Sequence, residues 1–293
     1  MAELILDARN GTGESPVWHV GEQALSWVDI PGKTINRWSP TAGHRQWETE
    51  EMPACIAATA TPGQWIAGME SGVFSLQLQD DGKALATRLA AVPHAAPTMR
   101  FNDGRCDRQG RFWAGTMLLD MAAAARVGCV YSYASDSEKL ATVLDDFIVP
   151  NGLAFSPDGK TMYVSDSHPT VQQVWAYDYD TQSGTPSNRR VFVDMNAFPG
   201  RPDGAAMDVD GCYWICGNDA GLIHRFTPDG RLDKSLAVPV KKPAMCAFGG
   251  PQLDTLYVTS IRPGGDLTDQ PLAGGVFALQ PGVCGLPEPV FAA

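Results

Sequence analysis

The chain has 293 residues, with 33 Asp and Glu against 22 Lys and Arg, a net charge of -11 and a pI near 4.8. That balance argues against a nucleic-acid partner, which needs a basic stripe, and against an anionic membrane surface. With 44% hydrophobic residues, 30 Gly, 22 Pro and 8 Trp, the composition suits an all-β protein of many short strands and tight turns.

The opening MAELILDARNGTGESP has no basic segment followed by an apolar core and cleavage site, and no apolar run reaches membrane-spanning length. The expectation is a cytoplasmic protein. The seven Cys lack paired spacing, so free thiols are expected, with Cys212 and Cys216 buried on a strand rather than holding zinc.

Taken in order, a strand, a turn and an aromatic-rich second strand recur six times. The copies are SPVWHVGEQALSWVDI with Trp27, CIAATATPGQWIAGMESGVFSLQ with Trp65, GRCDRQGRFWAGTM with Trp113, NGLAFSPDGKTMYVSDSH with Tyr163, GAAMDVDGCYWICGNDAG with Trp214, and CAFGGPQLDTLYVTSIRP with Tyr257. Each unit spans about 49 residues, too few to bury both faces of a small twisted sheet alone, so the copies are expected to stack around an axis. This predicts one domain, residues 1–293, folded as a six-bladed β-propeller. Leu4-Ile5-Leu6 and Val290-Phe291 are expected to share a blade and close the ring, and Met121 to Arg126 reads as a loop or single turn in the third blade.

Residues just before the innermost strand of each blade converge on one mouth of the channel. They include Glu14 in blade one, Arg100-Phe101-Asn102-Asp103 in blade three, Asn151 in blade four and Asp203 in blade five. Asn-Gly and Asp-Gly are also common turn dipeptides, yet here they recur at the same phase while later turns use Pro-Gly or Pro-Asp-Gly. Glu14, Asn151 and Asp203 are oxygen donors that a divalent cation would reconcile. Oxygen-only ligation suits Ca²⁺, Mg²⁺ or Mn²⁺.

The strings GESPVW, RFNDGR followed by RFWAGTM, PNGLAFSPDGKTMY, RPDGAAMDVDG and FGGPQLDTLYVTS resemble the SMP-30/gluconolactonase/LRE family, which contains regucalcin and bacterial sugar lactonases. The resemblance spans essentially the whole chain. It implies a propeller that hydrolyses a small-molecule sugar lactone with one divalent metal, whose identity stays open among Ca²⁺, Mg²⁺, Mn²⁺, Zn²⁺ and Fe²⁺. It implies Glu14, Asn151 and Asp203 as metal ligands, Arg100 and Asn102 as the substrate-binding pair, and Asp120 where regucalcin-like members carry a Glu that contacts sugar hydroxyls.

Chemically, a metal would polarise the lactone carbonyl while Asp203 acts as general base, the alternative being a metal-bound hydroxide that needs no base. The chain has no HExxH or GxSxG string, which disfavours a metalloprotease or serine hydrolase. His168 either lines the pocket or lies behind it. Two other functions fit the same fold, a non-catalytic calcium-binding regulator and a hydrolase of other esters or phosphotriesters. The sequence leaves the oligomeric state open.

Overall fold

The computed structural model describes residues 2–135 and 139–292. Its strands form six four-stranded antiparallel sheets, arranged as the blades of a β-propeller. Blades one to five are each contiguous in sequence, as in blade four, where Pro150–Phe155, Thr161–Asp166, Gln173–Asp180 and Thr185–Asp194 run from axis to rim. Within that blade the inner strand is wholly buried and the outermost is mostly exposed. This gradient explains why inner strands read as apolar or small residues and rim strands as polar ones. The turn joining the first two strands is set by Gly159 at φ 72° and by Ser156, whose hydroxyl donates to Asp158 at 2.7 Å.

Apolar clusters fill the wedges between neighbouring blades. All six marker aromatics lie in the second strand of their blade. Four of them pack toward the following blade, while Trp65 lies in a cluster drawn mainly from blades one, two and three. Trp113 meets Phe155 with ring centroids 6.0 Å apart, Tyr163 meets Tyr213 at 5.1 Å, Trp214 meets Phe248 at 5.9 Å and Tyr257 stacks on Trp18 at 5.3 Å. Trp27 departs from the expected common place, since its cluster contains Tyr257 and Val276 of the preceding blade. The marker therefore identifies the strand but not the face.

Ring closure also differs from expectation. Glu3–Leu6 forms the outermost strand of blade six by pairing with Val276–Leu279, but Val290-Phe291 does not join that blade. The C-terminal segment instead crosses the far end of the channel. Gly285 bridges to Asp208, Glu288 pairs with Arg105 at 3.5 Å, and Phe291 bridges to Thr59 and stacks on Tyr133 at 6.0 Å. Beneath the mouth, Ser15, Arg105, Met245 and Glu288 are among the residues around a cavity of about 10 Å³, barely room for one water.

The buried ring of Phe291 makes a sharp test of this strap. Phe291→Ala should cost about 3 kcal/mol, read as a lower urea midpoint at an unchanged slope. An unshifted midpoint would show that the strap adds nothing to the fold.

Candidate active site

Five of the six inner strands carry a β-bulge near their heads. The register slips between Glu14 and Val17, Phe101 and Gly104, Asn151 and Ala154, Pro202 and Ala205, and Pro243 and Cys246. The second blade, whose inner strand is Cys55–Ala58, has no such slip. A bulge bends its strand and re-aims side chains, and every axial candidate lies within a slip or beside one.

Glu14 and Asn151 are built alike. Each precedes a residue in the left-handed region, Ser15 at φ 50° and Gly152 at φ 58°. In each case the backbone N–H of that residue donates back to the candidate's own side chain, Ser15 N to Glu14 Oε2 at 3.1 Å and Gly152 N to Asn151 Oδ1 at 3.1 Å. Ser15 is held in this unfavourable conformation by Ile56 of blade two, whose N–H donates to the Ser15 hydroxyl at 2.9 Å.

Asp203 is buried and receives two amide hydrogen bonds. Asn151 Nδ2 donates to Oδ1 at 2.6 Å, and Asn218 Nδ2 donates to Oδ2 at 2.5 Å. Burial pushes its carboxyl up to about 7, against the pull of Asn218, Arg201 and Asn151. Glu14 is raised well above the usual carboxylate range by burial and then by the charges of Asp203 and Asp103. Blades one, four and five therefore bring Glu14, Asn151 and Asp203 to one place. Among the described residues, no group of three or more His, Cys, Asp or Glu is arranged to hold a metal, so any such site takes its third donor from the Asn151 amide. Two desolvated carboxylates with raised pKa values beside an amide oxygen form a donor set that fits a hard divalent cation.

Arg100 and Asn102 are half-buried in blade three and linked to each other. Arg100 Nη1 donates to Asn102 Oδ1 at 2.9 Å and to Phe101 O at 2.6 Å, while Asn102 Nδ2 donates to Pro150 O at 3.0 Å. Burial lowers the Arg100 guanidinium to about 10, with Glu14 the first of the charges that oppose the shift. Asp103, in the same bulge, accepts from Leu153 N at 2.7 Å through one oxygen; the other has no hydrogen-bond partner. Asp120 is exposed and caps the short 3₁₀ turn Met121–Ala123 without a side-chain hydrogen bond. It is not brought into contact with the buried group.

His168 is buried and structural. Its ring contacts the Thr170 hydroxyl at 2.8 Å and Met121 O at 3.1 Å, which fastens the turn bearing Asp120 to blade four. Cys212 and Cys216 are buried free thiols as expected, but only Cys216 lies on a strand, Tyr213–Asn218, which Cys212 immediately precedes. Asn218 is the residue the sequence reading missed. It ends the second strand of its blade, where blades one and four carry Asp29 and Asp166. Those aspartates each take two backbone N–H donors from the segment leading into their own inner strand, Gly11 and Thr12 for Asp29, Ile148 and Val149 for Asp166. The recurrence of Asp, Asp and Asn at this repeat position was the available signal.

Fold and site together define a six-bladed propeller whose axial mouth is lined by oxygen donors beside an arginine. The chain belongs to the SMP-30/gluconolactonase/LRE-like family, which it matches over residues 12–262. It is 39% identical to 6-deoxy-6-sulfogluconolactonase of Pseudomonas putida, over 96% of this chain and 94% of that protein, and 35% identical to regucalcin of Oryctolagus cuniculus, over 97% and 96%. Among solved structures, a luciferin-regenerating enzyme superposes with a TM-score of 0.92 at 26% identity, covering 100% of this chain and 99% of that one. A calcium-binding protein, regucalcin, from Agrobacterium tumefaciens gives 0.90 at 26% identity, covering 100% and 98%. Among the described residues no helix is long and apolar enough to cross a membrane.

The left-handed residue behind Asn151 is open to a direct test. A Cβ on Gly152 would lie 2.5 Å from Tyr213 Oη and 2.7 Å from Ser165 Oγ, at a φ that disfavours any side chain. Gly152→Ala should destabilise the protein by about 2 kcal/mol or more and weaken divalent-cation binding measured by calorimetry. An unchanged melting temperature together with unchanged affinity would refute this account of how Asn151 is set.

Proposed function

We propose that the protein hydrolyses a sugar lactone to the corresponding aldonic acid. The observation that carries this reading is the meeting of Glu14, Asn151 and Asp203 at the axis beside the hydrogen-bonded Arg100–Asn102 pair, in a chain whose relatives include a sulfogluconolactonase. Glu14, Asn151 and Asp203 would hold one divalent cation, which supplies Lewis-acid polarisation of the lactone carbonyl and acidifies water. Asp203 accepts the proton of the attacking water and returns it to the ring oxygen as the ester C–O bond breaks. The amides of Asn151 and Asn218 fix the orientation of that carboxylate throughout. Arg100 and Asn102 bind the polar substituents of the ring and hold the carbonyl against Asp203.

This arrangement favours an enzyme over a protein that only binds calcium. Ion binding has no use for a guanidinium and an amide beside the ligands, whereas a hydroxylated substrate does. A phosphotriester site would be expected to be more apolar.

Dialysis against chelator should abolish hydrolysis across a panel of aldonolactones, and one or more divalent ions should restore it. Full activity in protein shown by elemental analysis to be metal-free would overturn the cation's role. Asp203→Asn should lower kcat by about a hundredfold or more, while Arg100→Ala should act chiefly on KM. Normal turnover in metal-loaded Asp203→Asn would remove Asp203 as the base.

Asp120 has a free carboxylate on a turn pinned by His168, suited to a substrate hydroxyl reached directly or through water. Asp120→Ala should reduce kcat/KM for the preferred lactone by a few-fold up to about a hundredfold, and less for an analogue lacking one hydroxyl. Equal losses on every lactone would assign Asp120 to the loop alone.

A further inference from the structure

One side of the mouth carries more positive charge than its own acids neutralise. Arg201 opens the inner strand of blade five, two residues before Asp203, and Lys242 immediately precedes the inner strand of blade six. Both engage the same carboxylate. Asp219 accepts from Arg201 Nε at 2.6 Å through one oxygen and from Lys242 Nζ through the other. Arg126 and Lys241, by contrast, each meet an acid of their own, Asp146 and Asp269. Two cations on one carboxylate leave about one positive charge here, in a chain of net charge -11.

Donor counting leads to the same place. A guanidinium has five N–H donors and an ammonium three. Arg201 uses Nε on Asp219 and has a long 3.5 Å contact from Nη2 to Asn218 Oδ1, and among the described residues its Nη1 hydrogens have no partner. Lys242 uses one donor, on Asp219. The two side chains are 22% and 27% exposed, so the spare donors are within reach of solvent and solutes. Arg201 is also close enough to Asp203 for its charge to act on that carboxylate. The reaction centre contains two buried carboxylates that would repel an anionic substrate, so such a substrate needs a compensating cation a short way from the carbonyl.

We propose that Arg201 and Lys242 form a subsite for an anionic group, a sulfonate, phosphate or carboxylate, carried by the lactone at the end away from its carbonyl. The proposal rests on the lactone-hydrolase reading of the same mouth. The anion takes the spare Arg201 and Lys242 donors and stands beside Asp219 as the second counter-ion of the pair, so the site selects acidic sugar lactones over neutral ones.

The test compares glucono-lactone with its 6-phospho and 6-deoxy-6-sulfo forms. In Arg201→Gln and in Lys242→Gln the ratio of kcat/KM for an anionic lactone to that for the neutral one should fall about tenfold or more, through KM, and Asp219→Asn should raise it. Arg126→Gln, which removes a rim cation matched by its own acid, should leave the ratio unchanged. A phosphate or sulfonate arm that responds alone identifies which anion the subsite fits. If neither Arg201→Gln nor Lys242→Gln moves either ratio by more than twofold, the subsite is wrong. Calorimetry with the neutral alditol glucitol and its 6-deoxy-6-sulfo and 6-phospho analogues reads the same preference without turnover. A protein that hydrolyses no lactone yet loses its preference for the anionic alditols in these variants would refute the lactonase reading and retain the subsite, and equal binding of neutral and anionic alditols would overturn the subsite.

Discussion

A single extra residue near the head of five inner strands is the constraint on which the site depends. A regular inner strand would send alternate side chains into the two wedges between blades, where apolar clusters fill the space. The slip breaks that alternation over one step and leaves backbone groups outside the ladder that must be satisfied elsewhere. Leu153 N shows how this is done, since it is taken by Asp103 of the neighbouring blade at 2.7 Å. The bulges therefore turn side chains toward the axis and also tie adjacent blades together through buried carboxylates.

Those carboxylates are costly, and the surrounding groups show how the cost is met. Asp203 has an amide on each oxygen, while Glu14 has one backbone donor and the nearby charge of Arg100. Even so, burial holds both carboxyls above the ordinary range, so the charged pair is incompletely stabilised by its protein partners. The cation of the proposed function would offset that remaining cost.

Much of this was legible in the sequence because the repeat supplies its own internal comparison. Asn151-Gly152 and Asp203-Gly204 both stand at the head of an inner strand, one step apart in register, and that place in the repeat puts them near the axis without a coordinate. Other features were not legible, for identifiable reasons. The aromatic marker reports which strand is second but not its register against a bulge, so Trp27 turned toward the wrong neighbour. Val290-Phe291 has the apolar look of a strand, yet its partners are Ala58, Thr59 and Tyr133, separated from it by most of the chain. No local pattern reports a contact of that range.

The most informative positions are those where a repeat unit departs from its siblings. Asp29 and Asp166 spend their carboxylates on the loops that enter their own blades, a structural duty that the corresponding residue of blade five does not repeat. There the acid is replaced by Asn218, which can donate as well as accept, and it turns its amide onto Asp203 and the carbonyl of Pro243. An aspartate at 218 would set a third negative charge against two already raised carboxyls, whereas the amide stabilises the one it faces. The negative charge is placed one residue later, at Asp219, where it meets Arg201 and Lys242 instead of the reaction centre. This one-residue displacement of charge separates the carboxylate proposed as the base, Asp203, from the one that shapes the rim, Asp219, on a single blade edge.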